Sequence, residues 1–143
     1  MQRQHLAFKH CSLRELLDAL AALKPEHPAL ADTLDELALV TDELVSNLNK
    51  YADQQGQSAE VAMELELMPD RIECSLFDRG PAFNPFTAAD PDLEQPLDER
   101  PIGGLGLFLF RQLVRNGRYI STPDGNCTRF TLPAYPLNET GSH

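Results

Sequence analysis

The sequence has no tryptophan, and its cysteines are confined to Cys11, Cys74 and Cys127. An odd number of widely spaced cysteines without a Cys-x-x-Cys pair argues against a disulfide framework and against a zinc site, and favours the reduced thiols of a cytoplasmic protein. Cations are scarce too: 12 Lys and Arg against 22 Asp and Glu leave a formal net charge of −10. That balance excludes a broad nucleic-acid or anionic-membrane surface, since such surfaces bind by exchanging cations for phosphate. Proteins or small ligands are the expected partners. A small anionic ligand stays compatible, because exposed charges further apart than about 8 Å are largely screened at physiological salt. Nowhere does the chain hold the ~18 consecutive apolar residues of a membrane span. Met1-Gln2-Arg3-Gln4-His5 leads into no apolar run either, so no secretion signal is expected.

What is present is the balance of a folded domain, 42% hydrophobic and 24% charged in 143 residues. A chain of this size forms one unit and buries roughly two-thirds of the surface that it exposes when unfolded. Residues 1–136 are expected to be that domain, and 137–143 a flexible tail. A short strand is predicted around Leu6 to Lys9. Ser12 with Glu15 three residues on reads as a capping box, followed by a helix with Leu13, Leu16, Leu17, Leu20 and Leu23 at helical spacing. Pro25 and Pro28 end it. A second, long helix is predicted from near Pro28 or Ala29 to about Ala52, with Leu30, Leu34, Leu37, Thr41, Leu44 and Leu48 along one face. Beyond a polar loop, Ala59 to Leu67 and Arg71 to Phe77 read as a hairpin around Met68-Pro69-Asp70.

From Asp78 to Pro101 five prolines exclude regular structure and the acidic residues accumulate. A loop of this length inside core-like sequence is usually a functional lid. Leu105 to Val114 then form a third helix, and Arg118 to Ser121 and Thr128 to Leu132 two more strands around Pro123-Asp124-Gly125-Asn126. Antiparallel strands beside helices predict an α+β fold, a two-layer sandwich.

Chemistry-bearing residues gather in three places. Glu43 and Asn47 share a face of the second helix at i and i+4, with Lys50 and Tyr51 a turn further on. Asn offers a neutral oxygen to a hard cation such as magnesium, Lys a point charge to phosphate, and Glu a base for a hydroxyl proton. Taken alone, Glu-x-x-x-Asn on a helix is very common, and a solvated polar face is the better reading of it by roughly ten to one. Asp78-Arg79-Gly80-Pro81-Ala82-Phe83-Asn84-Pro85 follows an apolar strand. There Asp with Gly two residues on is a tight turn by default, and otherwise a carboxylate able to accept from an exocyclic amine while a flat ring approaches the glycine backbone. Gly103-Gly104-Leu105-Gly106-Leu107 opens the third helix, where bare N–H groups and the helix dipole favour phosphate. No Lys-Ser or Lys-Thr follows, and no βαβ unit surrounds it, so this is neither a Walker loop nor a dinucleotide fingerprint.

In this order and spacing, Glu43 to Ala52 resembles the N box of the GHKL ATPases. Asp78 to Pro85 resembles their first glycine box, and Ile102 to Phe108 their second. Asp-x-Gly-Pro-x-Phe-Asn-Pro and Gly-Gly-Leu-Gly-Leu-Phe-Leu look most like the anti-sigma-factor serine kinases of bacterial partner-switching pathways. The resemblance implies the Bergerat (GHKL) sandwich of a mostly antiparallel sheet covered by helices, and ATP with magnesium. It further implies a sigma factor and a STAS-type antagonist as protein partners, transfer of the γ-phosphate to a serine of that antagonist, and a homodimer. Carried over by position, Glu43 would be the general base, Asn47 the magnesium ligand and Asp78 the adenine reader. Gly80 would belong to the adenine pocket and Gly103, Gly104 and Gly106 would cradle the phosphates, while Lys50, Tyr51, Phe83, Leu105, Leu107 and Thr128 would also contact the nucleotide. The segment 84–102 would be the ATP lid.

The sequence departs from that pattern in places. Tyr51 stands where these kinases often have His, and Lys50-Tyr51 looks like the histidine-kinase version of the box. Pro101 and Ile102 separate Arg100 from the glycines, and Cys127-Thr128 replaces consecutive threonines. These changes bear on γ-phosphate handling more than on nucleotide binding. Two other readings stand beside the serine kinase. A histidine-kinase catalytic domain is one, although none of His5, His10, His27 and His143 is followed by Glu or Asp as a phosphoacceptor would be. The other is a non-catalytic module that binds ATP and sequesters a protein partner. Glu43 discriminates between transfer and mere binding.

Overall fold

The protein is seen in a computed structural model that describes residues 3–54, 60–80, 82–87 and 104–134. Strand β1 (Gln4–Cys11) leads into α1 (Leu13–Leu23) and the long α2 (Ala31–Gln54); β2 (Val61–Met68) and β3 (Arg71–Asp78) follow as a hairpin, then α3 (Gly104–Leu113), β4 (Arg115–Thr122) and β5 (Gly125–Pro133). Every pairing in the five-stranded sheet is antiparallel, in the order β1-β2-β3-β5-β4. The expected order of elements and the α+β sandwich are both present.

Local chemistry sets the helix limits. The Ser12 hydroxyl accepts from the Glu15 N–H at 3.2 Å and the Glu15 carboxylate accepts from the Ser12 N–H at 3.0 Å, the reciprocal cap that starts α1. The expected start of the second helix at Pro28 proves to be a separate 3-10 turn, Pro28–Leu30, closed by the Leu30 N–H on the His27 carbonyl at 2.9 Å. A proline at the first position of a turn forfeits no hydrogen bond, because the N–H there has no partner in either winding, and α2 begins at Ala31. The predicted face of α2, from Leu30 and Leu34 to Leu44 and Leu48, is buried, and Thr33, Val40 and Val45 widen it.

Alternation does the same for the sheet. Val61, Met63, Leu65 and Leu67 of β2 point inward with Ile72, Cys74 and Leu76 of β3 and with Phe130 and Leu132 of β5. They meet Leu16, Leu20, Leu34, Leu37 and Phe110 from the helices in one core. Strand β4 begins three residues earlier than predicted. Arg115 pairs with Thr131 and Arg118 with Arg129, so β4 holds one extra residue, a bulge at which Asn116 adopts φ 56°. Likewise β5 begins at Gly125, which shortens the predicted turn to Pro123-Asp124. Most of the expected lid, residues 88–102, and the expected tail, 137–143, lie outside the described residues.

Candidate functional site

At one end of the sheet the inward face changes character. Past Leu76 and Phe130, the next inward positions are Asp78, Thr128 and Asn126, 8%, 5% and 5% exposed. Burying polar side chains there without partners would cost free energy, so their hydrogen bonds reveal what the arrangement is for.

Asp78 closes β3 opposite Asn126. Its Oδ1 accepts from the Gly80 N–H at 2.9 Å and from Asn126 Nδ2 at 2.9 Å. The same Nδ2 donates to the Gly80 carbonyl at 3.0 Å, and Asn126 Oδ1 accepts from the Ser121 hydroxyl at 2.7 Å. Oδ1 is thus doubly occupied, whereas Oδ2 accepts nothing among the described residues. A carboxylate held by one oxygen presents the other, in a fixed direction, to an incoming donor. At Gly80 a Cβ would lie 3.4 Å from Asp78 Oδ1, an ordinary contact, so this turn does not itself demand glycine. Gly125 does demand it. Its φ is +144°, and a Cβ there would stand 2.7 Å from the Asp78 carbonyl oxygen. Gly125→Ala should therefore cost about 1–3 kcal/mol through backbone strain and displace the end of β3. Urea denaturation at equilibrium measures this; a variant as stable as the wild type would show that the β4–β5 turn yields at no cost.

On α2, Asn47 Nδ2 donates to the backbone carbonyl of Glu43 at 2.7 Å, and Asn47 Oδ1 accepts no hydrogen bond among the described residues. Glu43 is half-buried, and its Oε2 is covered from solvent with no hydrogen-bond partner among the described residues. Burial pushes its pKa up from the ordinary 4.5, the neighbouring Asp42 charge adds to the rise, and Asn47 opposes it. The neutral carbonyl oxygen of Asn47 suits a hard cation that keeps its other contacts to water and phosphate, so Asn47 fits magnesium. No cluster of three or more His, Cys, Asp and Glu able to hold a metal exists among the described residues.

α3 begins at Gly104, with Leu105, Gly106 and Leu107 in its first turn and no acidic residue there to oppose an anion. Gly103 lies outside the described residues, as do the side chains of Leu105 and Leu107 and those of Lys50 and Tyr51 on α2. The stretch after Asp78 is anchored from β4 and from the core. The Phe83 N–H donates to the Tyr119 hydroxyl at 2.8 Å, and the Phe86 ring lies 5.2 Å from that of Phe110, which meets Phe130 edge-on at 5.5 Å. Gly117 of β4 makes room, since a Cβ on it would come within 2.3 Å of the Phe86 ring.

The structure therefore joins Asp78 directly to Gly80, and Glu43 to Asn47, and sets Thr128 on the same face as Asp78. No hydrogen bond among the described residues links the α2 pair to the sheet group. A cleft of about 570 Å³ also opens beside Asp78, Arg79 and Asn126. Its walls Ala62, Phe77, Ile120 and Cys127 point away from the helices, so it belongs to the opposite side of the sheet from Glu43. Asn126, Tyr119 and Phe86 escaped the sequence reading. Asn126 was legible in one respect, since it continues the alternation Leu132, Phe130, Thr128 by one step.

A family model described as the histidine kinase-like ATPase domain matches residues 7–132. None of the curated proteins matches the chain. Among solved structures, the catalytic domain of histidine kinase ThkA in a nucleotide-free form is similar, with 18% identity and a TM-score of 0.45, over 93% of this chain and 99% of that chain.

Proposed function

The chain belongs to the histidine kinase-like ATPase domain family, and on that premise we propose that it is an ATP-dependent serine protein kinase and anti-sigma factor. It binds a sigma factor and phosphorylates a serine of a STAS-type antagonist. The observation that carries phosphotransfer is Glu43, a half-buried carboxylate with an orphan oxygen and a raised pKa. Raised basicity is what a general base needs near neutral pH, and a solvated polar face would have neither property.

Glu43 takes the proton of the attacking serine hydroxyl. The serine oxygen forms its bond to the γ-phosphorus as the bond from that phosphorus to the β,γ-bridging oxygen breaks, and the electron pair leaves with ADP. Asn47 Oδ1 would hold a magnesium ion, which would supply charge neutralisation at the phosphate oxygens. Asp78 Oδ2 accepts from the adenine amino group beside Gly80, with Phe83 and Thr128 at the base. Backbone N–H groups of Gly103 to Leu107 would cradle the phosphates at the start of α3, and Lys50 and Tyr51 would contact the nucleotide.

The test is incubation with γ-labelled ATP, magnesium and a STAS-type antagonist. The antagonist should carry the label, and lose it when its acceptor serine is replaced by alanine. ATP binding without any transfer would make the chain a nucleotide-binding module and overturn the kinase reading.

A further inference from the structure

We infer that Asn126 is the positioning residue that sets base selectivity, by clamping the Asp78 carboxylate in the one orientation that offers Oδ2 to an exocyclic amine. This rests on the reading of Asp78 as the adenine acceptor and adds to it a residue that reaches Asp78 from β5.

The bonds of Asn126 admit a single arrangement. Asp78 Oδ1 and the Gly80 carbonyl are both acceptors, at 2.9 and 3.0 Å, so the amide end facing them has to be the nitrogen. That turns Asn126 Oδ1 toward Ser121, whose hydroxyl donates to it at 2.7 Å. With Asn126 only 5% exposed and fastened at both ends, its Nδ2 is a fixed point. Among the described residues the only other bond to Asp78 Oδ1 comes from the Gly80 N–H two residues along the chain, and a single bond leaves the carboxylate plane free to turn about it. Asn126 supplies the second. It also ties the Gly80 backbone to β5, so the acceptor and the turn beside it move as one piece. Ser121, Asn126 and Asp78 thus form a chain across β4, β5 and β3, the last three strands of the sheet order.

Such a clamp predicts an effect on base identity that general loosening would not produce. ITP carries a carbonyl oxygen where ATP carries the amino group, so the exocyclic donor that an oriented Oδ2 meets in ATP is missing from ITP. A hydrogen bond to a charged group implies that the wild type prefers ATP over ITP by roughly tenfold to a hundredfold. Asn126→Ala should lower ATP affinity toward that of ITP and leave ITP affinity nearly as it was. Asn126→Asp keeps the shape while turning the donor into an acceptor, and should abolish the preference at least as fully. It serves if the alanine variant melts below working temperature.

Affinities of both nucleotides are to be measured on wild type, Asp78→Asn and the two Asn126 variants, with circular dichroism to verify folding. A preference lost in Asp78→Asn and in both Asn126 variants, with ITP affinity retained, is the expected result. A preference lost in Asp78→Asn but kept in the Asn126 variants would overturn the clamp and leave the adenine reading intact. Equal falls for ATP and ITP would reduce Asn126 to a structural role and overturn it too. A wild type indifferent to ATP and ITP would remove the role of Asp78 itself, and the clamp with it.

Discussion

Glu43→Gln should slow phosphate transfer to the antagonist by about 10²–10⁴-fold, the range ascribed to a positioned general base. ATP affinity should hardly change, because the carboxylate meets the attacking hydroxyl and not the nucleotide. Single-turnover transfer at saturating ATP isolates this step from binding. The pH profile gives an independent signature. Burial first, and the Asp42 charge second, hold the Glu43 pKa above 4.5, and the base works only when deprotonated. Wild-type transfer should therefore fall on acidification through a pKa above the ordinary carboxylate value, and Glu43→Gln should lack that limb. The same shift acts on stability with the opposite sense. A carboxyl that holds its proton more tightly folded than unfolded destabilises the fold at any pH above its folded pKa, and the penalty disappears below its unfolded one. The glutamine variant should accordingly melt above the wild type at neutral pH, and the difference should shrink toward zero as the pH drops below about 4.5. A slow variant that keeps the acid limb would show that some other group takes the proton.

The reach of sequence reading in this chain follows the range of the forces involved. Capping and periodicity are local, so Ser12 with Glu15, the leucine face of α2 and the strand alternation were all legible before any fold was known. Strand ends are less so. The bulge at Asn116 arises because β4 holds one residue more than β5 over the same span, and the separate turn at Pro28 is closed by a backbone bond from Leu30 to His27. Neither leaves a mark in hydrophobic spacing. The site divides in the same way. Asp78 and Gly80 lie within one short motif, and Glu43 and Asn47 within one helical turn. Asn126 stands 48 residues from Asp78 and meets it only because β5 inserts between β3 and β4. It read as part of a turn, since asparagine beside glycine is a turn signal by default. Its place at the end of an inward-facing row, after Leu132, Phe130 and Thr128, was the one sign that it had another task.

Phe110→Ala should be the most destabilising single substitution proposed here, with a loss of about 3–5 kcal/mol. That is a large share of the roughly 5–15 kcal/mol by which a domain is stable. Phe110 is 1% exposed, and its ring lies between Phe86 at 5.2 Å and Phe130 at 5.5 Å. It joins α3 to β5 and to the segment that follows Asp78, and two aromatic contacts vanish with it in addition to the buried area. Collapse of the cavity is restricted, because Phe130 is fixed by the sheet and Phe86 lies against Gly117. Urea denaturation with an unchanged m-value would report the loss. Leu109→Ala is the control on the same helix. Leu109 is 48% exposed, so its truncation should stay within about 0.5 kcal/mol. Because α3 opens with the glycines proposed to cradle phosphate, the Phe110 variant should also bind ATP and ITP less tightly by the same factor, where Asn126→Ala affects ATP alone. A Phe110→Ala protein within 1.5 kcal/mol of wild type would mean that the aromatic trio adds little to the core, and that α3 is held to the sheet by its other apolar contacts.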